Sequence, residues 1–574
     1  MNSETKQCQN CKGDFTIDPD DFGFYEKIGV PAPTFCPECR AIRRMMWRNL
    51  RSLYKRNCNI CEKSIISLYS GVDNAPVLCN SCWNSDKWDQ HQNGKDYNFD
   101  KEFFVQLKEL WNINPRLYSV KVGNLINSEY TNFSKDNKNV YLSFSVSNCE
   151  DVIYSESIDF SKNTVDSYSV VKLDSCFYNI NCEGNYNTHY AIKSNNNIDS
   201  CFLYDCINCQ NCFLSSNLRN KKYFFKNKQF SKEEYIKNIE DYKLNKFSNL
   251  EKAIKEFRLL IENNTIHKYA SIYGSKNVLG DNIHNSKNFK LCFDIYEGEN
   301  VAYSFRSGVN LKDSYDVLGT SYNAELIYEG VGVTTNVFKN YFCYFLMNNC
   351  RECEYSGILK NCQNCFGCFG LINAKYCILN KQYEKEKYFE KIEKIKKHMN
   401  EIPYIDEAGR VYRYGEFFPF NFSSCGYNET IANNFYPKTR KEALEKFYPW
   451  KDKEERNYNI DIRTEDIPDD INDTDESIIG KIIECAHRGT CNQQCTEAFK
   501  IIPEELQFYK RMNLPLPRLC PNCRHYERLA QRNPLKLWHR KCMKPGCNNE
   551  FETSYSPDRP EIVYCEKCYQ QEVY

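Results

Sequence analysis

The middle of the chain alternates short apolar bursts with polar punctuation. DVIYS, DSCFYN, DSCFLYD, ENVAYS and CEYSG recur roughly every 10 to 14 residues, separated by Asn, Asp, Ser and Gly. Short strands joined by tight turns have this pattern. A long regular series of them predicts a β-solenoid or β-helix whose stacked rungs share one core. A β-sandwich or a propeller is the alternative.

Two segments change period. Residues 231–264 place Ile236, Ile239, Tyr242, Leu250, Ile254 and Phe257 at helical spacing, and the charged stretch 384–401 follows suit. Both are expected to be helices capping the repeat. Beyond Pro403 lie the aromatic strings YGEFFPFNF and NNFYP. DIRTEDIPDDINDTDE (461–476) then carries eight acids against one Arg and reads as a solvated linker.

Two internal duplications organise this pattern. CQNCFLSSNLRNKKYFFKNKQFSKEEY (209–235) matches 362–388 without a gap, with fifteen of 27 positions identical. The chain termini are also copies. An offset of 484 carries Cys11, Tyr25, Cys36, Cys39, Arg40, Arg44 and Arg48 onto Cys495, Tyr509, Cys520, Cys523, Arg524, Arg528 and Arg532. Six segments follow: a two-zinc module (1–92), a helical connector (93–138), a first β half with its capping helix (139–264) and a second (265–402), an aromatic and acidic segment (403–484), and a second two-zinc module (485–574).

Composition adds mainly cysteine. The 574 residues balance 76 basic against 76 acidic side chains, so net charge favours no partner. Abundant Asn, Lys, Tyr, Ile and Phe are compatible with nucleotide bias, so lysine abundance alone carries no functional weight. The polar start MNSETKQCQN has no apolar core of a secretory signal, and no apolar run is long enough to span a bilayer. The expected compartment is the cytoplasm, where 33 cysteines serve as metal ligands or small buried hydrophobes rather than disulfides.

The paired cysteines predict about four Zn2+ ions. Cys8, Cys11, Cys36 and Cys39 form one candidate site, and Cys58, Cys61, Cys79 and Cys82 a second. In the C-terminal copy, Cys542, Cys547, Cys565 and Cys568 form another. There Cys495, Cys520 and Cys523 lack a match for Cys8, which falls on Asn492. Cys491 is the expected fourth ligand, with Cys485 and His487 as substitutes. Zinc suits four thiolates, and four protein ligands leave no open position, so these sites read as structural. Sequential and cross-braced pairing both remain open.

The x2-x2 runs Cys206, Cys209, Cys212 and Cys362, Cys365, Cys368 resemble part of an iron–sulfur spacing. The 153 offset puts Cys206 on Leu359, so packing inside the repeat is the preferred reading over further metal sites.

Between Cys39 and Cys58 stand Arg40, Arg43, Arg44, Arg48, Arg51, Lys55 and Arg56 without an acid. Arg40, Arg44 and Arg48 share one helical face, with Trp47 and Tyr54 among them. The copy keeps Arg524, Arg528 and Arg532, adds Arg540 and changes Arg43 to Glu527. Guanidinium groups with interleaved aromatics fit nucleic acid, RNA before DNA, through Arg40, Arg44, Arg48, Arg51, Arg524, Arg528, Arg532 and Arg540. The competing readings are compensation of zinc–thiolate charge and protein docking.

CQNCKGDFTIDPDDFGFYEKIGVPAPTFCPECRAIRRMMWRN and its copy resemble the zinc-ribbon, treble-clef-like domains of uncharacterised bacterial cysteine-rich proteins. The resemblance implies the zinc ligands named above, Asn492 departing from the pattern, and no particular activity. No phosphate-binding loop, dinucleotide fingerprint or His-Glu-x-x-His motif is present. The leading expectation is a non-enzymatic, mainly β zinc protein with some α structure that binds nucleic acid. A protein scaffold using the solenoid face and a β-helix or metal-cluster enzyme are the alternatives. Neither a membrane nor a small-molecule substrate is evident.

Overall fold

The computed structural model describes residues 2–71, 75–319, 321–453 and 457–574. Met1, residues 72–74 of the expected first module, Thr320 of the second half and 454–456 of the linker segment lie outside them. The architecture is mixed α/β, with cysteine clusters near both ends of the sequence and repeating parallel sheets between them along the chain. It divides into two compact units, each discontinuous in sequence. One comprises Met1–Ser119, Ala270–Asp452 and Leu535–Leu537; the other comprises Val120–Tyr269, Lys453–Pro534 and Trp538–Tyr574. The N-terminal module therefore belongs with the second β half and the C-terminal module with the first. Segments in simple sequence order do not describe this interleaving.

In the unit containing Val120–Tyr269, parallel pairing advances twelve residues at a time. Glu150 lies beside Lys162, Lys162 beside Asp174, Asp174 beside Tyr186, Tyr186 beside Ile198, and Ile198 beside Gln210. The strands form a ring-like repeat sheet.

Backbone conformation explains the coil. Tyr154, Ser157, Phe160, Asn163, Asp166 and Ser169 all have φ between 46° and 60°, and the three-residue period continues to Tyr223. Each coil is thus four sides of three residues with a left-handed corner on each. Asn, Asp and Gly tolerate that region, whereas β-branched side chains resist it. Ile358 is the one β-branched residue among the described non-glycine positions with positive φ.

The residue after each corner turns inward. Ser155, Ile158, Ser161, Thr164, Ser167 and Val170 are fully buried. Their polar members complete the backbone's hydrogen bonding: Ser155 Oγ donates to Ile153 O at 3.0 Å and accepts from Ser167 N at 3.0 Å. Cys206, Cys209 and Cys212 occupy this inward row, which fixes their three-residue spacing. Cys206 and Cys212 each donate S–H to the carbonyl two residues back, Tyr204 O and Gln210 O. Cys362, Cys365 and Cys368 do the same with Lys360 O, Gln363 O and Phe366 O. The period of the interior, rather than the geometry of a cluster, accounts for both x2-x2 runs.

The other unit's coil has the same corners but a longer turn over part of its length. Leu311 pairs with Ala324 and Val331 with Tyr344, a thirteen-residue advance, before Gln363 with Lys375 restores twelve. The corner spacing lengthens from three residues to four between Gly332 and Asn336 and between Phe345 and Asn349, and a side-chain amide ladder of corner asparagines runs Asn310, Asn323, Asn336, Asn349, Asn361 and Asn373 at 2.9–3.1 Å per step.

Both coils end in an antiparallel hairpin, Lys222–Phe225 with Lys228–Gln229 and Lys375–Ile378 with Lys381–Gln382, at the duplicated offset. The helices expected after them form over Lys232–Glu240, Phe247–Asn263 and Lys385–Glu401. Leu250, Ala253 and Phe257 of the second join Phe202 and Phe213 in a buried cluster.

Two expected segments differ. The connector is helical over Phe103–Ile113, but Lys121–Ile126 is already a coil strand, because the left-handed corners begin there. The acidic stretch is folded rather than a solvated linker. Ile467, Ile471 and Ile478 are buried, while Asp469 and Asp470 accept from Ser248 N and Asn245 Nδ2 at 2.8 and 2.7 Å. Among the described residues no helix is long and apolar enough to cross a membrane.

Candidate metal centres and the basic helices

One local design appears four times. A short antiparallel hairpin carries the first two cysteines, and a helix whose N-cap is the third cysteine carries the fourth. The hairpins are Glu4–Gln7 with Asp14–Ile17, Tyr54–Asn57 with Ser64–Ser67, Ile483–Glu484 with Ala498–Phe499, and Trp538–Lys541 with Glu550–Thr553. Cys36, Cys79, Cys520 and Cys565 cap Pro37–Met45, Asn80–Trp83, Pro521–Leu529 and Glu566–Val573. In every copy the N–H of that capping cysteine donates to the first cysteine's sulfur. Cys36 to Cys8, Cys79 to Cys58 and Cys565 to Cys542 span 3.3 Å, and Cys520 to Cys485 spans 3.2 Å.

The sulfur spacing fits zinc. A ZnS4 tetrahedron with bonds of about 2.3 Å has edges of about 3.8 Å. Cys11–Cys36 and Cys61–Cys79 are 3.8 Å apart, Cys547–Cys565 and Cys485–Cys523 3.9 Å. Within each group of four, all sulfurs lie within 4.8 Å of one another. N–H donors also favour the thiolate that a metal needs. Burial pushes the Cys58 thiol up, but the amides of Cys61, Cys79 and Ile60 outweigh it and hold the group at about 6. Pairing is sequential in both modules: the first two cysteine pairs form one group and the next two form another.

The fourth ligand of the third group requires a correction. Cys485, and not Cys491, joins Cys495, Cys520 and Cys523. Strand register shows why. Lys6 pairs with Phe15 in the first hairpin, and Ile483 pairs with Phe499 in its counterpart. Phe499 follows the 484 offset, but Ile483 stands seven residues earlier than that offset would place it. The insertion lies between Cys485 and Cys495, so a gapless comparison aligns Cys8 with a loop residue.

The basic helices are packed against the chain's own acids. Arg40 reaches Asp316 at 3.0 Å, and Arg44 reaches Asp316 at 2.8 Å and Glu329 at 3.3 Å. Arg43 bridges Glu329 at 2.6 Å and Glu416 at 3.0 Å. In the other unit Asp166 receives Arg524 and Arg528, each at 2.5 Å, and Glu505 receives Arg524 at 3.3 Å. Arg44 donates to Tyr303 O and Arg528 to Tyr154 O, while Arg40 and Arg524 lie over those same two tyrosine rings. Arg40, Arg43, Arg44 and Arg528 are at most 2% exposed, and Arg524 is 6%.

The remaining expected contacts are also engaged or covered. Arg48 is buried against Gly319, whose φ of +109° and missing side chain leave room for its guanidinium. Arg532 donates to Tyr168 Oη at 2.6 Å and stacks on that ring, Arg540 donates to Ser556 O at 3.2 Å, and Arg51 is half-buried. Trp47 packs with Tyr344 and Phe418 rather than facing outward. The expected open basic face is therefore a packed interior one. Its guanidinium groups lack the exposure that phosphate contact needs. The acids that dock it, Asp166 and Asp316, lay outside the sequence reading. Their signal is a shared place: an acidic corner one coil beyond a tyrosine corner.

No protein-family model matches the chain, and a comparison with curated proteins finds no relative. Among solved structures, a protein described as a "putative acetyltransferase from Desulfovibrio desulfuricans G20" aligns at 11% identity. The alignment covers 54% of this chain and 77% of that one with a TM-score of 0.10. A likeness that weak says nothing about this chain's fold or activity. The groups described above are candidate zinc sites in treble-clef-like modules.

Proposed function

We propose that the protein is a zinc-stapled β-solenoid scaffold that presents coil surface to a protein partner and does no chemistry at its four-cysteine sites. The observation that carries this reading is the burial of the arginine face in both modules, which makes each module a fastener for a coil. Four thiolates fill a zinc ion's positions and leave none for water. None of the described cysteines is in a disulfide, so the sixteen in the four groups have their sulfurs available to metal. The thirteen-residue coils offer an open groove beside the amide ladder, lined by Asn323, Asn336, Phe338, Lys312 and Arg351.

A photoreactive residue at Asn336 is expected to give adducts sensitive to protease and resistant to ribonuclease. Zinc-loaded protein is also expected to show no tight binding to single-stranded RNA or DNA between about 50 and 200 mM salt. Tight binding that falls steeply over that range would overturn the scaffold reading in favour of nucleic acid.

A further inference from the structure

The insertion between Cys485 and Cys495 has no counterpart between Cys8 and Cys11, and it is folded back onto the third cysteine group. Ala486 N donates to Arg518 O at 2.9 Å, Arg488 N to Cys485 O at 2.8 Å, and Thr490 N to His487 O at 2.8 Å. Left-handed Arg488 and Gly489 turn the chain between them. The loop thereby brings His487 and Cys491 to Cys523, and a ligand atom from each of the three lies within 4.8 Å of the others. Cys491 Sγ and Cys523 Sγ are 3.7 Å apart, the edge length expected for two sulfurs on one zinc.

The copies differ most at this sulfur. Cys39, the counterpart of Cys523, accepts an N–H from Asn10 at 3.2 Å and has no further thiol or imidazole in its group. At Cys523 that flank holds a thiol and an imidazole. Among the described residues, His487 Nδ1 is buried without a hydrogen-bond partner, which leaves its lone pair available to a cation.

We propose that His487, Cys491 and Cys523 bind a fifth metal ion of the zinc class, with Cys523 bridging to the ion held by Cys485, Cys495, Cys520 and Cys523. The proposal rests on the zinc reading of that four-cysteine group. Binding releases the Cys491 thiol proton to solvent and uses neutral His487 as a donor. Three protein donors leave one position for water or another small ligand, unlike the four closed groups.

Metal analysis of the full chain decides the matter. Wild type purified with zinc is expected to hold five ions. A His487→Ala, Cys491→Ala double variant should hold four with unchanged hydrogen exchange in the rest of its unit. Four ions in both proteins would overturn the fifth site, whereas three in wild type would show that the four-cysteine group itself is misread. Cobalt-loaded wild type should show a shift in its visible d–d bands on adding imidazole, and the double variant should not. Five ions without that shift would overturn the open position.

Discussion

Asp316 receives Arg40 and Arg44 in one unit, and Asp166 receives Arg524 and Arg528 in the other. The two docking sites share the corner carboxylate, the tyrosine one coil earlier and the arginines four residues apart. They differ in reserve. Around Asp316, Glu329 and Glu416 also serve the arginines, and Arg43 makes the balance three acids to three bases. Among the described residues, Arg524 and Arg528 make their ion pairs around Asp166 with two acids, Asp166 and Glu505. Where Arg43 meets Glu329, the second unit instead has Glu527, whose field raises the Tyr178 phenol beyond the effect of burial. Duplication therefore kept the latch and rewrote its charge in matched steps on both partners. A buried ion pair tolerates change only when both members change together.

The largest test of this comparison is loss of the corner acid. Asp166→Asn leaves Arg528 with the Tyr154 carbonyl and should cost about 3–5 kcal/mol in its unit. Asp316→Asn leaves Arg44 with Glu329 and Arg40 with Phe35 O, and should cost about 1–3 kcal/mol. Hydrogen exchange of peptides from each unit reads the two separately. An equal or reversed order would remove the distinction drawn from reserve.

Importing one unit's charge into the other gives the intermediate effect. Glu527→Arg places a cation beside Arg528 and Arg258 without Glu329's counterpart, and should destabilise by about 1–3 kcal/mol. Adding Tyr178→Glu should recover part of that loss. A double variant no better than the single would show that these positions are uncoupled.

The smallest effect is a pH slope. Burial raises Glu505 from 4.5 to about 7, only partly offset by Arg524 and Tyr154. Its folded state holds the proton more tightly than its unfolded state. The associated stability is therefore complete below the unfolded value and lost as pH rises through about 7. Wild type should lose on the order of 1–2 kcal/mol in this unit between about pH 5 and 8, and Glu505→Gln should flatten the slope. A slope unchanged by the substitution would assign it elsewhere.

The cysteine pairs, both duplications and a repeat near twelve residues were legible because each is a spacing along the chain. The three-residue corner period was not, because it matches neither an alternating strand nor a helix. The regular Asn, Asp and Ser read as turn residues, but their placement on left-handed corners every three residues is a backbone requirement that the turn reading alone does not specify. Cys485 stood behind Cys491 as a substitute because an insertion moved it off the gapless match. The fate of Arg40 and Arg44 was hidden because local sequence shows a cationic face but not the distant acids that bury it.

Those distances also set an order of completion during synthesis. Arg40 waits 276 residues for Asp316, and Arg43 waits 373 for Glu416. At ribosomal rates of about 5–20 residues per second, the gap is roughly 15 to 75 seconds. Asp166, by contrast, precedes Arg524 by 358 residues and is waiting when the last module emerges. The nascent N-terminal module thus spends its early life with an uncovered cationic and aromatic surface. Zinc uptake in that interval would fold the module before the acids that bury its arginines have been made.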